Sequence, residues 1–419
     1  MTEFGDEVRR LLTGQGISLR ELARRSHYHA SHLSNVLNGR KRLTRKMAGE
    51  LDAVLGADGR LAGLGPPAPA PAGPDQAGGP DMLPDRRSVL AGTILAGRAL
   101  AGWGPEDPER LAWVARHPPR VDMPVVNALR EMLVTQRHIE DSMGGMAVHE
   151  PVLAQLATIE TLVCQAHGSV RTALLDVAQQ WAQFASYLAR DADDPAADRM
   201  RLAQALEWAN EVGDKTMIAT VLVQRAYGAL HAGQIGTVIG LAQAAQREGS
   251  VSAGQRAEAA AFEARGHAML GDGPTVERKL DEMSELAAKL SDQRQDRHPW
   301  LYWMSSYNFL CFEGAAFGLM ADNRRYRERA ITALRTGYAA LPDDLKSSAW
   351  AAKDLVRLAD VHVTAGDIGR AHATGLQAAA VARRTGSVRL AVMLAQVHAR
   401  LHSRWPRDPR VAELGEALH

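Results

Sequence analysis

The 419-residue chain has only two cysteines, Cys164 and Cys311, far apart and without metal-ligand spacing. That excludes a disulfide-stapled scaffold and a cysteine-based zinc module. Two buried, reduced thiols are expected, with a single Cys164–Cys311 disulfide as the alternative. No apolar run approaches the ~20 residues that a membrane-spanning helix needs. Aromatics make up 5% of the chain. β-Branched residues are sparse beside alanine, leucine and arginine, which favours helix nearly everywhere. Catalytic signatures are missing as well: there is no phosphate-binding G-x-x-x-x-G-K-[ST] loop, no G-x-S-x-G and no H-E-x-x-H. Asp193-Asp194 and Asp343-Asp344 sit beside prolines and read as helix-start residues. No catalytic residue, cofactor or metal is expected, and the chain does not read as an enzyme.

Net charge is also scarce, at +1 overall, but it is unevenly spread. Between Arg9 and Lys46 ten Lys or Arg stand against one acid, Glu21, a local balance of +9. Residues 1–64 carry +4, which leaves about −3 for the rest. A basic N-terminal module on a near-neutral body points to nucleic acid at one end only.

That basic stretch has internal order. Residues 18–42 read SLRELARRSHYHASHLSNVLNGRKR. Ser18 and Glu21 stand in capping-box spacing, so a helix should start at Ser18, with Leu22 and Ala23 on its apolar side. A turn follows at His27 and Tyr28. A second helix, about Ala30 to Asn38, carries Leu33, Val36 and Leu37 on one face and stops at Gly39. Flanking helices are expected over Phe4–Leu12 and over Arg45–Leu55, the latter with Met47, Leu51, Val54 and Leu55 facing inward. The second helix would present Ala30, Ser31, His32 and Asn35 to the major groove of double-stranded DNA. Asparagine there can bind adenine through two hydrogen bonds. Arg40, Lys41 and Arg42 suit phosphate, and so set affinity and register rather than sequence. Leu19 and Arg20, at a helix N-terminus, suit the DNA backbone.

The segment resembles the lambda-repressor-like, xenobiotic-response-element type of helix-turn-helix. SLRELA stands for the first helix, SHLSNVLNG for the second, and RKR trails them. The resemblance covers residues 4–64. His27 departs from it, because the family usually has glycine there. So does Ala30, where a longer side chain often reads a base, which shifts specificity toward His32 and Asn35. The resemblance implies a homodimer on a two-fold operator.

Residues 65–84 hold seven prolines and four glycines in twenty positions. Such a composition makes a linker, not a core. Residues 86–97, RRSVLAGTILAG, imitate a twin-arginine export signal. They follow a complete DNA-binding module and are too short to cross a membrane, so they read as a core-docking helix. A cytoplasmic location follows.

Residues 85–419 read as helix after helix. Breaks recur at Asp191, Gly233, Gly271, Asp322 and Gly366, at spacings of 42, 38, 51 and 44. This is the mark of a solenoid of helical hairpins. In the last unit Gly366-Asp367 is followed by Ala371 and Ala378, small residues that let two helices approach closely. The unit resembles a tetratricopeptide repeat with lengthened helices; the unit at Gly233 departs from it with Val238, and the unit at Gly271 departs further. The combination is similar to large regulators of actinomycete type and, in architecture, to the peptide-pheromone receptors.

Residues 300–317 hold seven of the 21 aromatics. Aromatic walls in a solenoid groove suit peptides or small apolar molecules. The candidate effector residues are Trp303, Tyr307 and Asn308, with Tyr187, Gln224 and Arg225 on earlier helices. Asn308 would bind a peptide backbone, as the likeness to pheromone receptors implies. The same aromatics also fit an inner core helix without a ligand. The expected fold is all-α: a lambda-repressor-like domain (1–64), a linker (65–84) and a tetratricopeptide-like α-solenoid (85–419). The expected function is sequence-specific transcription regulation, with dimerisation and peptide or small-molecule sensing by the repeats. The rival reading is a protein-interaction scaffold tethered to DNA.

Overall fold

The computed structural model describes residues 3–26, 33, 36–38, 43, 45–57, 59–64, 121–290, 298–301 and 303–418. Among them every regular element is helical and no strand occurs. The chain divides into two compact units, Met1–Asp81 and Met82–His419.

The first unit contains α1 (Glu3–Gln15), α2 (Leu19–Arg25), α3 (Arg45–Leu55) and α4 (Arg60–Gly63). Phe4, Val8 and Leu12 line the buried side of α1, which runs three residues past the apolar pattern through a polar last turn. α2 starts where the capping residue places it: Ser18 Oγ accepts from the Glu21 N–H at 3.2 Å. Leu33, Val36 and Leu37 are buried in the same core. α3 has the predicted bounds, with Met47, Leu51 and Leu55 inside, but Val54 is only half-buried. The Asp52 carboxylate accepts from the Gly59 and Leu61 N–H groups at 2.8 and 2.7 Å, which ties α4 to α3.

The second unit is a row of packed helices: α5 (Met123–Met143), α6 (His149–Gln165), α7 (Gly168–Asp191), α8 (Pro195–Val212), α9 (Lys215–His231), α10 (Ile235–Gln246), α11 (Ala253–Met269), α12 (Gly273–Ala288), α13 (Ser306–Gly318), α14 (Arg324–Ala339), α15 (Ala349–Ala365), α16 (Ile368–Thr385), α17 (Val388–Arg404) and α18 (Pro409–Glu416). All five breaks marked in the sequence are the tight turns inside hairpins, from α7/α8 to α15/α16. Gly366 shows why they are short. It ends α15 in the left-handed conformation (φ 80°), and the Asp367 side chain at once caps α16 through the Arg370 N–H. That pairing costs a residue with a Cβ more than it costs glycine. Asp194 caps α8 through Ala196 and Ala197 N–H, as its place before Pro195 suggests. The connections between hairpins carry no such mark in the sequence. One of them, between α12 and α13, includes a short 3-10 turn (Pro299–Leu301) and accounts for the longest spacing.

Ala371 and Ala378 are fully buried between helices; at the second hairpin Val238 and Ala245 take the same role. Successive cores run on from one hairpin to the next, with residues of α9, α11 and α15 each shared between neighbouring clusters.

The ends of this row meet. Trp350 Nε1 on α15 donates to Asp141 Oδ1 on α5 at 2.9 Å. Ser387 Oγ donates to Asp191 Oδ1 at 2.7 Å. Arg389 on α17 reaches Asp193 at 3.2 Å. A Cβ on Gly144 would stand 2.4 Å from the Thr385 carbonyl oxygen, so these two backbones touch. The pattern of breaks predicts a row of hairpins but not this closure.

Both cysteines are free thiols. Cys311 is buried, as expected. Cys164 is exposed, contrary to expectation, because it lies on the outer side of α6. No helix of the described residues is long and apolar enough to cross a membrane.

Candidate functional site

The first unit presents a buried scaffold for a second helix after α2. Leu33, Val36 and Leu37 face the core with at most 2% exposure. The Arg9 guanidinium, from α1, donates to the Leu37 carbonyl at 3.2 Å and to Asn38 Oδ1 at 2.6 Å, which holds the end of that helix. Gly5 lets α1 approach it: a Cβ there would lie 2.0 Å from the Leu37 oxygen. Of the DNA-reading candidates, Arg20 lies within α2. Ala30, Ser31, His32, Asn35, Arg40, Lys41 and Arg42 lie outside the described residues. Arg9 was missed, because its contact spans 28 positions in sequence.

Residues 3–63 match a family model described as "Helix-turn-helix domain". The N-terminal unit is a helix-turn-helix domain. The chain has no match among curated proteins.

In the body, the effector candidates fall into two neighbourhoods. Tyr187 on α7 is half-buried, donates to Glu140 Oε1 at 3.0 Å, and has Lys353 Nζ 5.4 Å from its ring centre. Gln224 Oε1 on α9 accepts from Ser186 Oγ at 3.1 Å and Arg190 Nη2 at 3.3 Å. Its amide therefore positions Arg190. Arg225 is half-buried next to it. The other three stand around the start of α13. Trp303 Nε1 donates to the Trp300 carbonyl at 3.1 Å. Asn308 is buried, and its Oδ1 accepts from Ser305 Oγ at 2.7 Å; Tyr307 is half-buried. The aromatic stretch itself is divided: Trp300 packs in the core of the first hairpins, Phe309 and Phe317 in that of the middle ones.

Between the neighbourhoods runs a set of residues most of which, Arg190, Tyr227, Phe262 and Arg265, the sequence candidates do not include. Arg190 stands 5.0 Å from the Tyr227 ring centre. Tyr227 meets Phe262 edge to face at 6.3 Å. Arg265 lies 4.7 Å from the Phe262 ring and 5.4 Å from the Phe312 ring, and Phe312 meets Trp303 at 6.0 Å. All but Trp303 come from the first helices of successive hairpins, α7, α9, α11 and α13. Arg357 and Lys353 on α15 and Arg389 on α17 add further cations. A usable signal existed: Tyr187, Tyr227 and Arg265 each lie six positions before a turn residue of positive φ, namely Asp193, Gly233 and Gly271.

The electrostatics of this set are unusual. Arg265 is 3% exposed, and its Nε and Nη2 have no hydrogen-bond partner. Its two aromatic contacts are worth about 0.5–2 kcal/mol each. Burying an ion costs several times that without a partner. Burial, and then the Arg357 charge, lower its pKa to about 9, so it stays cationic at neutral pH. Burial alone would raise the Tyr227 phenol; the fields of Lys353, Arg357, Arg389 and Arg190 outweigh it and hold the group below its usual value. The Tyr227 hydroxyl and Arg389 Nε are likewise buried without a hydrogen-bond partner. Of the acids nearby, Asp354 pairs with Arg357, Asp198 with Arg190 at 3.0 Å, and Asp191 with Lys353 at 3.5 Å. Glu258 receives Gln255 Nε2 at 2.9 Å, and burial raises its pKa to about 7. At the far side of Tyr187, burial and then Asp141 raise Glu140 to about 8.

Proposed function

We propose that the protein is a sequence-specific transcription regulator: its helix-turn-helix domain binds operator DNA as part of a homodimer, and its helical body senses a small effector. The observation that carries the reading is the N-terminal match over residues 3–63, joined to a core in which Leu33, Val36 and Leu37 face inward. With those three inside, the helical spacing predicted from the sequence would put Ser31 and Asn35 on the opposite side, with His32 at its flank. The basic trio Arg40, Lys41 and Arg42 then supplies phosphate contacts. The reading assigns no catalysis to the chain and places it in the cytoplasm, with DNA. The large body, with buried polar groups on the first helices of its hairpins, suits sensing better than simple spacing.

The test is quantitative DNA binding on sites selected from genomic fragments. Asn35→Ala should cost about 1–3 kcal/mol on the preferred site and relax its sequence preference. Arg40→Ala should weaken binding to all DNA alike and lower the salt slope by roughly one. Parent-like behaviour of both variants would refute the groove assignment.

A further inference from the structure

We propose that the inner helices of the body hold a small organic anion, a carboxylate or phosphate, gripped by Arg265, Tyr227 and Arg389 with Arg357 behind them. The argument starts from Arg265. A guanidinium that is 3% exposed needs a counter-charge and hydrogen-bond acceptors; here two of its donor nitrogens have none. The other arginines of this region are matched: Arg190 to Asp198, Arg357 to Asp354, Arg389 to Asp193 through one nitrogen. Arg265 is the buried cation among them without an ion-pair partner among the described residues. Its guanidinium lies over the Phe262 ring at 4.7 Å and the Phe312 ring at 5.4 Å, two contacts that restrict where its donor fork can point. A planar donor fork of this kind suits two oxygens of a carboxylate or phosphate.

The neighbouring unpartnered donors point to the same chemistry. The Tyr227 hydroxyl and Arg389 Nε are buried without a partner. Of the two acids whose charges act on Arg265, Asp354 is already paired with Arg357, and Glu258 is raised by burial toward neutrality. An acceptor-rich anion would satisfy these donors together; a cation or a purely apolar molecule would leave them unmet. Aromatic rings at Phe262, Phe312 and Trp303 would then face the carbon skeleton. The site itself stands on this geometry alone. That its occupant acts as an effector rests on the proposed DNA-binding reading.

Inorganic phosphate serves as the probe, on the full-length protein, at ionic strength matched with chloride. Phosphate should raise Tm saturably, with binding confirmed by calorimetry. Arg265→Met keeps the bulk between the two rings and removes the charge. It should abolish the phosphate-dependent shift and raise Tm in chloride, because an uncompensated buried charge is gone. A merely structural Arg265 would instead lower Tm when replaced. Tyr227→Phe removes one hydroxyl, folds whatever Arg265→Met does, and should weaken phosphate about tenfold. An unshifted parent, or an Arg265→Met variant that responds like the parent, overturns the site. Phosphate binding that leaves operator affinity unchanged supports the site and overturns its role as the effector centre. Loss of DNA binding in Asn35→Ala with an intact phosphate response separates the two readings.

Discussion

At Glu140 the environment changes ordinary carboxylate chemistry. Its carboxyl, buried beside Asp141 and bonded to Tyr187, titrates at about 8 in the folded protein, whereas an unfolded glutamate titrates near 4.3. Between those values the folded state binds the extra proton. Its contribution to stability is therefore full below the unfolded pKa and is lost as pH rises toward 8. Glu258, raised to about 7, acts with the same sign. Glu140→Gln keeps an acceptor for the Tyr187 hydroxyl and removes the titration. Its Tm should exceed the parent's by several degrees at pH 8, with the gap closing as pH falls to 4. Equal Tm values at both pH values would show that the carboxyl ionises freely in the fold.

At the scale of elements, local rules were legible and long-range ones were not. Ser18, Arg45, Leu55 and the five hairpin turns could be read because capping, helical period and turn chemistry act within a few residues. The α1–α2 pair and the seam at Ala371 and Ala378 followed from the same rules. Cys164 was misjudged because composition says that cysteines are buried on average, not which side of α6 this one takes. For Arg265 and Tyr227 the sequence offers only their six-residue offset from a turn glycine, which acquires meaning once four hairpins align and bring the set together. Aromatic density pointed to 300–317, yet much of that stretch is core; Phe312 reaches the arginine, with Trp303 packed behind it. Gly5 is another long-range case. Gly5→Ala would drive a methyl into the Leu37 carbonyl; overpacking against backbone costs about 1–3 kcal/mol. The variant should unfold its helix-turn-helix domain at lower denaturant and bind DNA more weakly, while the body, followed by its tryptophan fluorescence, unfolds as in the parent. An unchanged DNA-binding domain would mean that α1 shifts freely along its neighbour.

For the body as a whole, the decisive feature is that its first and last hairpins touch. An open row of hairpins is stabilised by neighbour contacts alone and transmits little from one end to the other. A closed one adds a contact whose loss is all-or-none. Trp350–Asp141 and the Gly144–Thr385 backbone contact both belong to that closure, although neither touches the other's partner. If closure is a single event, the two are coupled through it. Trp350→Phe removes the Trp350 hydrogen bond to the buried Asp141, at about 0.5–1.5 kcal/mol. Gly144→Ala forces Thr385 away and strains a backbone of φ 90°. Once either change has opened the junction, the second has nothing left to break. The double variant should therefore lose clearly less stability than the two single losses combined, by at least ~0.5 kcal/mol, and small-angle scattering should show an expanded body. Independent, additive losses at unchanged size would mean that the ends merely lie side by side, and that the arginines of α11, α15 and α17 are held in place by their own hairpins rather than by the ring.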